Sequence, residues 1–84
     1  RVIGRSMIEA GISPNDLVIA ESEKEPVNGD IVIAEVDGAW TMKYFQKRKN
    51  EIVLIPANKD YPSIYPKQEF KIGGVVVSVI KKYY

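Results

Sequence analysis

A serine hydroxyl becomes a useful nucleophile only when a neighbouring base takes its proton, and this sequence offers few bases. It contains no His and no Cys. The Ser-His-Asp arrangement, the common zinc sites and thiol chemistry are therefore excluded. The remaining bases are lysines and carboxylates. The acidic residues are scattered and show no calcium-loop spacing. Lys43 stands apart from the other lysines. It lies in "AWTMKYF", among Trp40, Met42, Tyr44 and Phe45, whereas Lys47, Arg48 and Lys49 follow in a run suited to solvent. A lysine removed from water loses its proton more easily, with documented values as low as roughly 5–6. Such a neutral amine can deprotonate a serine.

The serine that could partner it is Ser6, in "VIGRSMIEAGI". Gly4 allows a bend before it. At a strand-to-helix turn its hydroxyl would be exposed among main-chain N–H groups able to receive negative charge. Each residue also has a plain structural reading. Ser6-Met7-Ile8-Glu9 fits a capping box, with Ser6 as N-cap and Glu9 reaching back. Lys43 could lie on a solvent face with its stem over Phe45. Alternation along the strand puts Thr41, Lys43 and Phe45 on one face and Trp40, Met42, Tyr44 and Gln46 on the other.

The elements that must position these residues are mostly strands. Leu17–Ser22, Asp30–Val36, Trp40–Gln46 and Glu51–Pro56 are short, β-branched and bounded by turn residues. Asp37-Gly38 predicts a tight hairpin turn. Phe70–Ile72 and Val75–Ile80 form the last strand or pair, hinged at Gly73-Gly74. The proline-rich stretch from Pro56 to Glu69 reads as a long connecting loop. Only Ser6–Gly11 looks helical, for about one turn, with Gly11 as its C-cap. The expected fold is mostly β: a compact coiled antiparallel sheet or partly closed barrel with one short helical turn after the serine. The 84 residues suit a single domain. A net charge of +1 gives no electrostatic footprint for nucleic acid. The apolar runs are far shorter than a membrane-spanning helix. Val75–Ile80 is apolar on both faces; as a terminal strand it is expected at a sheet edge, open to pairing or sheet packing with a second chain, with Lys81 and Lys82 limiting the association, and a buried central strand in a monomer is the alternative reading.

The combination of residues resembles the LexA/UmuD family of self-cleaving serine peptidases. The resemblance runs through Gly4-x-Ser6-Met7, Gly11-Ile12, Asp16-Leu17-Val18, Gly29-Asp30-Ile31-Val32, Asp37-Gly38 and Thr41-x-Lys43. It continues through Leu54-x-Pro56-x-Asn58, Tyr61, Ile64 and Gly74-Val75-Val76. The separation of 37 positions between Ser6 and Lys43 is also the family's. "VDGAWTMKYFQ" and "LIPANKDYPSI" look most like the UmuD-type, SOS-mutagenesis members.

The resemblance implies the LexA C-terminal-domain fold, Ser6 as nucleophile and Lys43 as general base, with no cofactor and no metal. It implies that the main-chain amides of Arg5 and Ser6 form the oxyanion hole. The substrate would be the protein's own chain, cut at an Ala-Gly or Cys-Gly bond under stimulation by the RecA–single-stranded-DNA filament. The expected partners are a second copy in a homodimer and an error-prone DNA polymerase; direct nucleic-acid binding by residues 1–84 and a membrane partner are not expected. The expected location is cytoplasmic. Because the sequence starts five residues before Ser6, it is expected to be an N-terminally truncated domain without its scissile segment. Ala10-Gly11 lies past the nucleophile and suits the helix end better than cleavage. Asn15 stands where glycine is more usual and tolerates the same left-handed turn.

A LexA-like or prophage repressor domain is the alternative within the family. A bacterial signal peptidase shares Ser-Met and a lysine base, but would need a membrane anchor and a longer spacing. A catalytically silent interaction module is a third reading.

Overall fold

The computed structural model describes residue 2 and residues 4–66 and 70–81. Lys82, expected to limit strand association, lies outside the described residues. Five strands follow one turn of 3-10 helix, Ile8–Ala10: β1 (Leu17–Glu21), β2 (Ile31–Val36), β3 (Ala39–Arg48), β4 (Glu51–Ile55) and β5 (Phe70–Ile80). They form one antiparallel sheet in the order β1-β5-β2-β3-β4. The mostly β expectation holds, in an open form with β1 and β4 at the edges.

Turn chemistry sets the register around Lys43. Asp37 (φ 50°) and Gly38 (φ 85°) both take positive φ. This is the tight primed turn that matches strand twist. It pairs Val36 with Ala39 and carries the register on to Val32 opposite Lys43. β5 runs unbroken through Gly73-Gly74, where two strands hinged at the glycines were an expected alternative. The glycines instead mark a bulge: Ile33 pairs with Gly74 and Ala34 with Ile72. A Cβ on Gly73 would sit 2.6 Å from the Trp40 ring. Glycine is used there for close approach.

β5 is not at an edge. It lies between β1 and β2 because its two faces and its two hydrogen-bonding edges are independent properties. Alternation reports the faces only. The edge role falls to β1, four of whose five residues are exposed.

Both faces of the sheet carry apolar clusters, as expected for strands with few charges. One cluster joins Val32, Ala34, Phe45, Leu54 and Val75. The other joins Val2, Met7, Ile12 and Ala57, with Met42 and Tyr44 from β3 against it. The second cluster fastens the segment carrying Ser6 onto the sheet.

Candidate functional site

Ser6 sits in the turn immediately before the 3-10 helix. Its neighbour Met7 is the anchor of that turn. Met7 is 2% exposed, and its Sδ accepts a hydrogen bond from the Ala57 N–H at 3.4 Å. Burying a methionine side chain contributes about 1.5–3 kcal/mol. With Met7 buried beneath the turn, Ser6 is left half-buried at the surface of the second cluster.

The capping-box reading of Ser6 does not hold. Met7 occupies the N-cap position and makes no side-chain cap. Glu9 does not reach back; its Oε2 accepts a hydrogen bond from the Lys59 N–H at 3.0 Å. A distant segment has captured the carboxylate that the local pattern assigned to Ser6. The helix ends as expected, on Gly11 in the left-handed region, and Asn15 adopts positive φ.

Lys43 is 6% exposed, so the solvent-face reading does not hold either. Its Nζ lies 2.8 Å from Ser6 Oγ, bringing the two candidate residues together across 37 positions of chain. The amine also meets Thr41 Oγ1 and the Met42 carbonyl oxygen at 3.2 Å. Burial pushes the lysine pKa down from its ordinary value. The salt bridges among the described residues, Lys71–Glu35 and Lys81–Asp16, involve other lysines. Among the described residues no carboxylate pairs with Lys43, so none of them supplies a counter-charge to hold its proton.

Three partners suit both protonation states of the amine. An ammonium donates three hydrogen bonds, to Ser6 Oγ, Thr41 Oγ1 and the Met42 carbonyl. A neutral amine donates two and has one lone pair. Thr41 Oγ1 and the carbonyl can receive the two donors, leaving the lone pair for the Ser6 hydroxyl proton. Only the Ser6 bond reverses direction, and no heavy atom has to move. The contribution of Thr41 follows from alternation, which puts residues two apart on one face of β3.

A cavity of about 290 Å³ adjoins Ser6, with Val18, Ile33, Trp40 and Met42 among its walls. Along β3, β4 pairs with Tyr44–Arg48 and not with the residues before them. Among the described residues, Ala39–Lys43 therefore has no strand on its far side. Ser6 and residues 40–42 of this unpaired stretch of strand share one opening, and the Lys43 amine reaches it through Ser6 Oγ.

The segment after β4 does more than connect. Asn58 Nδ2 donates to the Arg5 carbonyl at 2.8 Å, and the Glu9 N–H donates to the Ala57 carbonyl at 2.6 Å. Residues 57–59 thus brace residues 5–9. The expected oxyanion donors, the amides of Arg5 and Ser6, lie in this braced turn. No grouping of three or more acidic side chains able to hold a metal occurs among the described residues, and no helix there is long and apolar enough to cross a membrane.

A family model described as Peptidase S24-like matches residues 1–77. The chain belongs to the S24-like peptidase family. It is 46% identical over 82 residues to protein SamA of Salmonella typhimurium, covering 98% of this chain and 57% of that protein. It is 45% identical over 82 residues to the LexA repressor of Acetivibrio thermocellus, covering 98% of this chain and 38% of the repressor. For the LexA repressor of Carboxydothermus hydrogenoformans the identity is 42% over 85 residues, covering 99% and 42%. The chain spans little more than half of the first relative and less than half of the two repressors. The resemblance to the LexA/UmuD family, drawn from motifs alone, is borne out by these matches.

Proposed function

We propose that residues 1–84 form one serine peptidase domain in which Ser6 attacks and Lys43 is the general base. The observation that carries this reading is the 2.8 Å approach of Lys43 Nζ to Ser6 Oγ, with the amine buried and its pKa lowered. Ser6 Oγ forms a bond to the scissile carbonyl carbon as its proton passes to Lys43 Nζ. The carbonyl oxygen becomes an oxyanion, received by the amides of Arg5 and Ser6. The lysine ammonium then protonates the leaving amine as the C–N bond breaks. Water hydrolyses the resulting Ser6 ester, with the regenerated neutral lysine as base.

The substrate is the protein's own N-terminal segment, cut when the RecA–single-stranded-DNA filament stimulates the reaction. The product is an accessory subunit of a translesion polymerase in a cytoplasmic SOS response, as in UmuD-like proteins. The "VDGAWTMKYFQ" motif supports this version, and SamA is among the similar proteins. A second reading is the peptidase and dimerisation domain of a LexA-like repressor, since the identity to two LexA repressors, 45% and 47%, matches that to SamA. The domain itself is the same in both.

The test uses the full-length gene product with RecA, single-stranded DNA and ATP. Self-cleavage is expected in the wild type and is expected to be lost in Ser6→Ala and in Lys43→Ala, with circular dichroism unchanged. Normal cleavage in either variant would overturn the assignment. Specific operator binding before cleavage would select the repressor reading; polymerase binding after cleavage would select the UmuD-like one.

A further inference from the structure

We infer that Asn58 is a positioning residue that aims the Ser6 amide at the developing oxyanion. The inference rests on the proposed role of Ser6 and its main chain. Its geometric basis is the peptide between Arg5 and Ser6. A peptide unit is planar, so its C=O and N–H point in fixed opposite directions. Whatever holds the Arg5 carbonyl therefore sets the direction of the Ser6 N–H. Two donors hold that carbonyl: the Ile8 N–H at 3.2 Å and Asn58 Nδ2 at 2.8 Å. The first is the local turn bond. The second comes from 53 positions away and ties the peptide to a different part of the fold.

The Asn58 amide is itself fixed. Its Oδ1 accepts a hydrogen bond from the Asp60 N–H at 2.9 Å, and its main-chain carbonyl accepts one from the Tyr61 N–H at 3.1 Å. The side-chain oxygen must face a donor, so the side-chain nitrogen must face the Arg5 carbonyl. Both ends of the amide are used, which fixes its orientation without ambiguity. The brace is extended by the Lys59 N–H on Glu9 and the Ala57 N–H on Met7 Sδ. These two bonds hold the helix after Ser6, whereas Asn58 acts on the peptide that contains the Ser6 N–H. Rotating that peptide would leave Ser6 Oγ near Lys43 and still misdirect the amide. Asn58 therefore acts on oxyanion stabilisation and not on the proton transfer to Lys43.

Two substitutions separate the role from general loop stability. Asn58→Ala removes both side-chain bonds. Asn58→Asp keeps the acceptor for the Asp60 N–H and so preserves the turn, but it opposes an oxygen to the Arg5 carbonyl. The probe is a fluorophosphonate, which reacts with an activated serine by forming an Oγ–P bond and expelling fluoride as the serine proton passes to the base. Its phosphoryl oxygen requires the same amides as a peptide oxyanion. The rate constant for labelling Ser6 is measured against pH in the full chain.

Both variants are expected to lower the high-pH plateau by about 100-fold, the cost of a misplaced group and the lower end of the range for a lost oxyanion donor. In Asn58→Ala the midpoint of the pH profile is expected to stay at the wild-type value, because that change adds no charge and removes no contact of Lys43. A wild-type plateau in Asn58→Asp would overturn the inference while leaving the Ser6–Lys43 reading intact, as would a moved midpoint with an unchanged plateau. Ser6→Ala is the control. Labelling at the wild-type rate in that variant would overturn the nucleophile assignment, and the inference with it.

Discussion

The Lys43 amine sits buried among a serine hydroxyl, a threonine hydroxyl and a main-chain carbonyl, with no ion-pair partner among the described residues. Burial penalises its charged form, so folding is coupled to pH through this residue. Its pKa in the folded protein lies below the ordinary 10.5. Between the lowered value and 10.5 the unfolded chain binds more protons than the folded one. Stability contributed by this site therefore increases with pH across that window. Lys43→Met keeps most of the side-chain volume and removes the buried amine. We expect this variant to unfold at a higher temperature at pH 7, by about 4–8 °C, which corresponds to roughly 1 kcal/mol for a domain of this size. It should also lack the increase in stability towards alkaline pH. Thermal melts at several pH values test both expectations; a lower melting temperature at pH 7 would show that the buried amine is not a stability cost. Sequence alone singled out Ser6 and Lys43 because the composition leaves so few bases. It could not decide between capping and chemistry at Ser6, since the carboxylate that would complete the cap is held by Lys59, 50 positions away.

At the level of elements, alternation and turn residues made the strands legible. The Asp37-Gly38 hairpin, the Gly11 helix end and the division of β3 into two faces appear as the residue types require. Pairing order was not legible, because the side chains of β5 describe its faces and not which strands flank its edges. The stretch from Pro56 onward was read as a connector because prolines and polar residues look alike in a loop and in a brace. Its function emerges only from contacts between residues 57–59 and 5–9. A second long-range tie joins the end of β5 to the turn before β1. Asp16 accepts hydrogen bonds from Lys81 Nζ and from the Ser13 N–H, and Lys81 also donates to the Gly11 carbonyl at 2.8 Å. The Asp16 carbonyl in turn accepts the Val2 N–H at 2.9 Å, in the segment leading to Ser6. The Lys81 hydrogen bond, followed by that of Ser13, holds the Asp16 carboxyl below its ordinary 3.8. A depressed folded pKa contributes stability that is present above 3.8 and is lost as pH falls through the folded value. Asp16→Asn should therefore melt below the wild type at pH 7, and the difference should shrink as the pH falls below 3.8. A difference that stays constant down to about pH 2 would mean that the ion pair is not its source.

On the scale of the whole molecule, the exposed apolar side chains Leu17, Ile19, Val77 and Ile80 lie on the neighbouring strands β1 and β5. Leu17 pairs with Ile80 and Ile19 with Ser78, so part of this patch is continuous across two strands. Covering it with a second copy of the chain would bury the apolar surface, and a two-fold dimer is the commonest closed arrangement. The patch, and not a β5 edge, is the surface we propose for association. It also changes which substitutions are informative. Val79 packs against the second apolar cluster, so a charge there would disturb the fold. Ile19→Asp and Val77→Asp alter exposed positions and should convert a dimer to a monomer at micromolar concentration without loss of structure. Sedimentation equilibrium on the full-length protein decides this; a monomeric wild type, or dimers unaffected by both changes, would rule the patch out as an interface.

The measurement that bears most directly on the Ser6–Lys43 account is the pH dependence of self-cleavage in the full-length protein. Only a neutral amine can accept the Ser6 proton. The rate should therefore increase with pH along a single ionisation and then level off, with a midpoint below 10.5. A rate that is flat from about pH 4 to pH 10, below and through the whole range documented for buried lysines, would show that Lys43 is not the base.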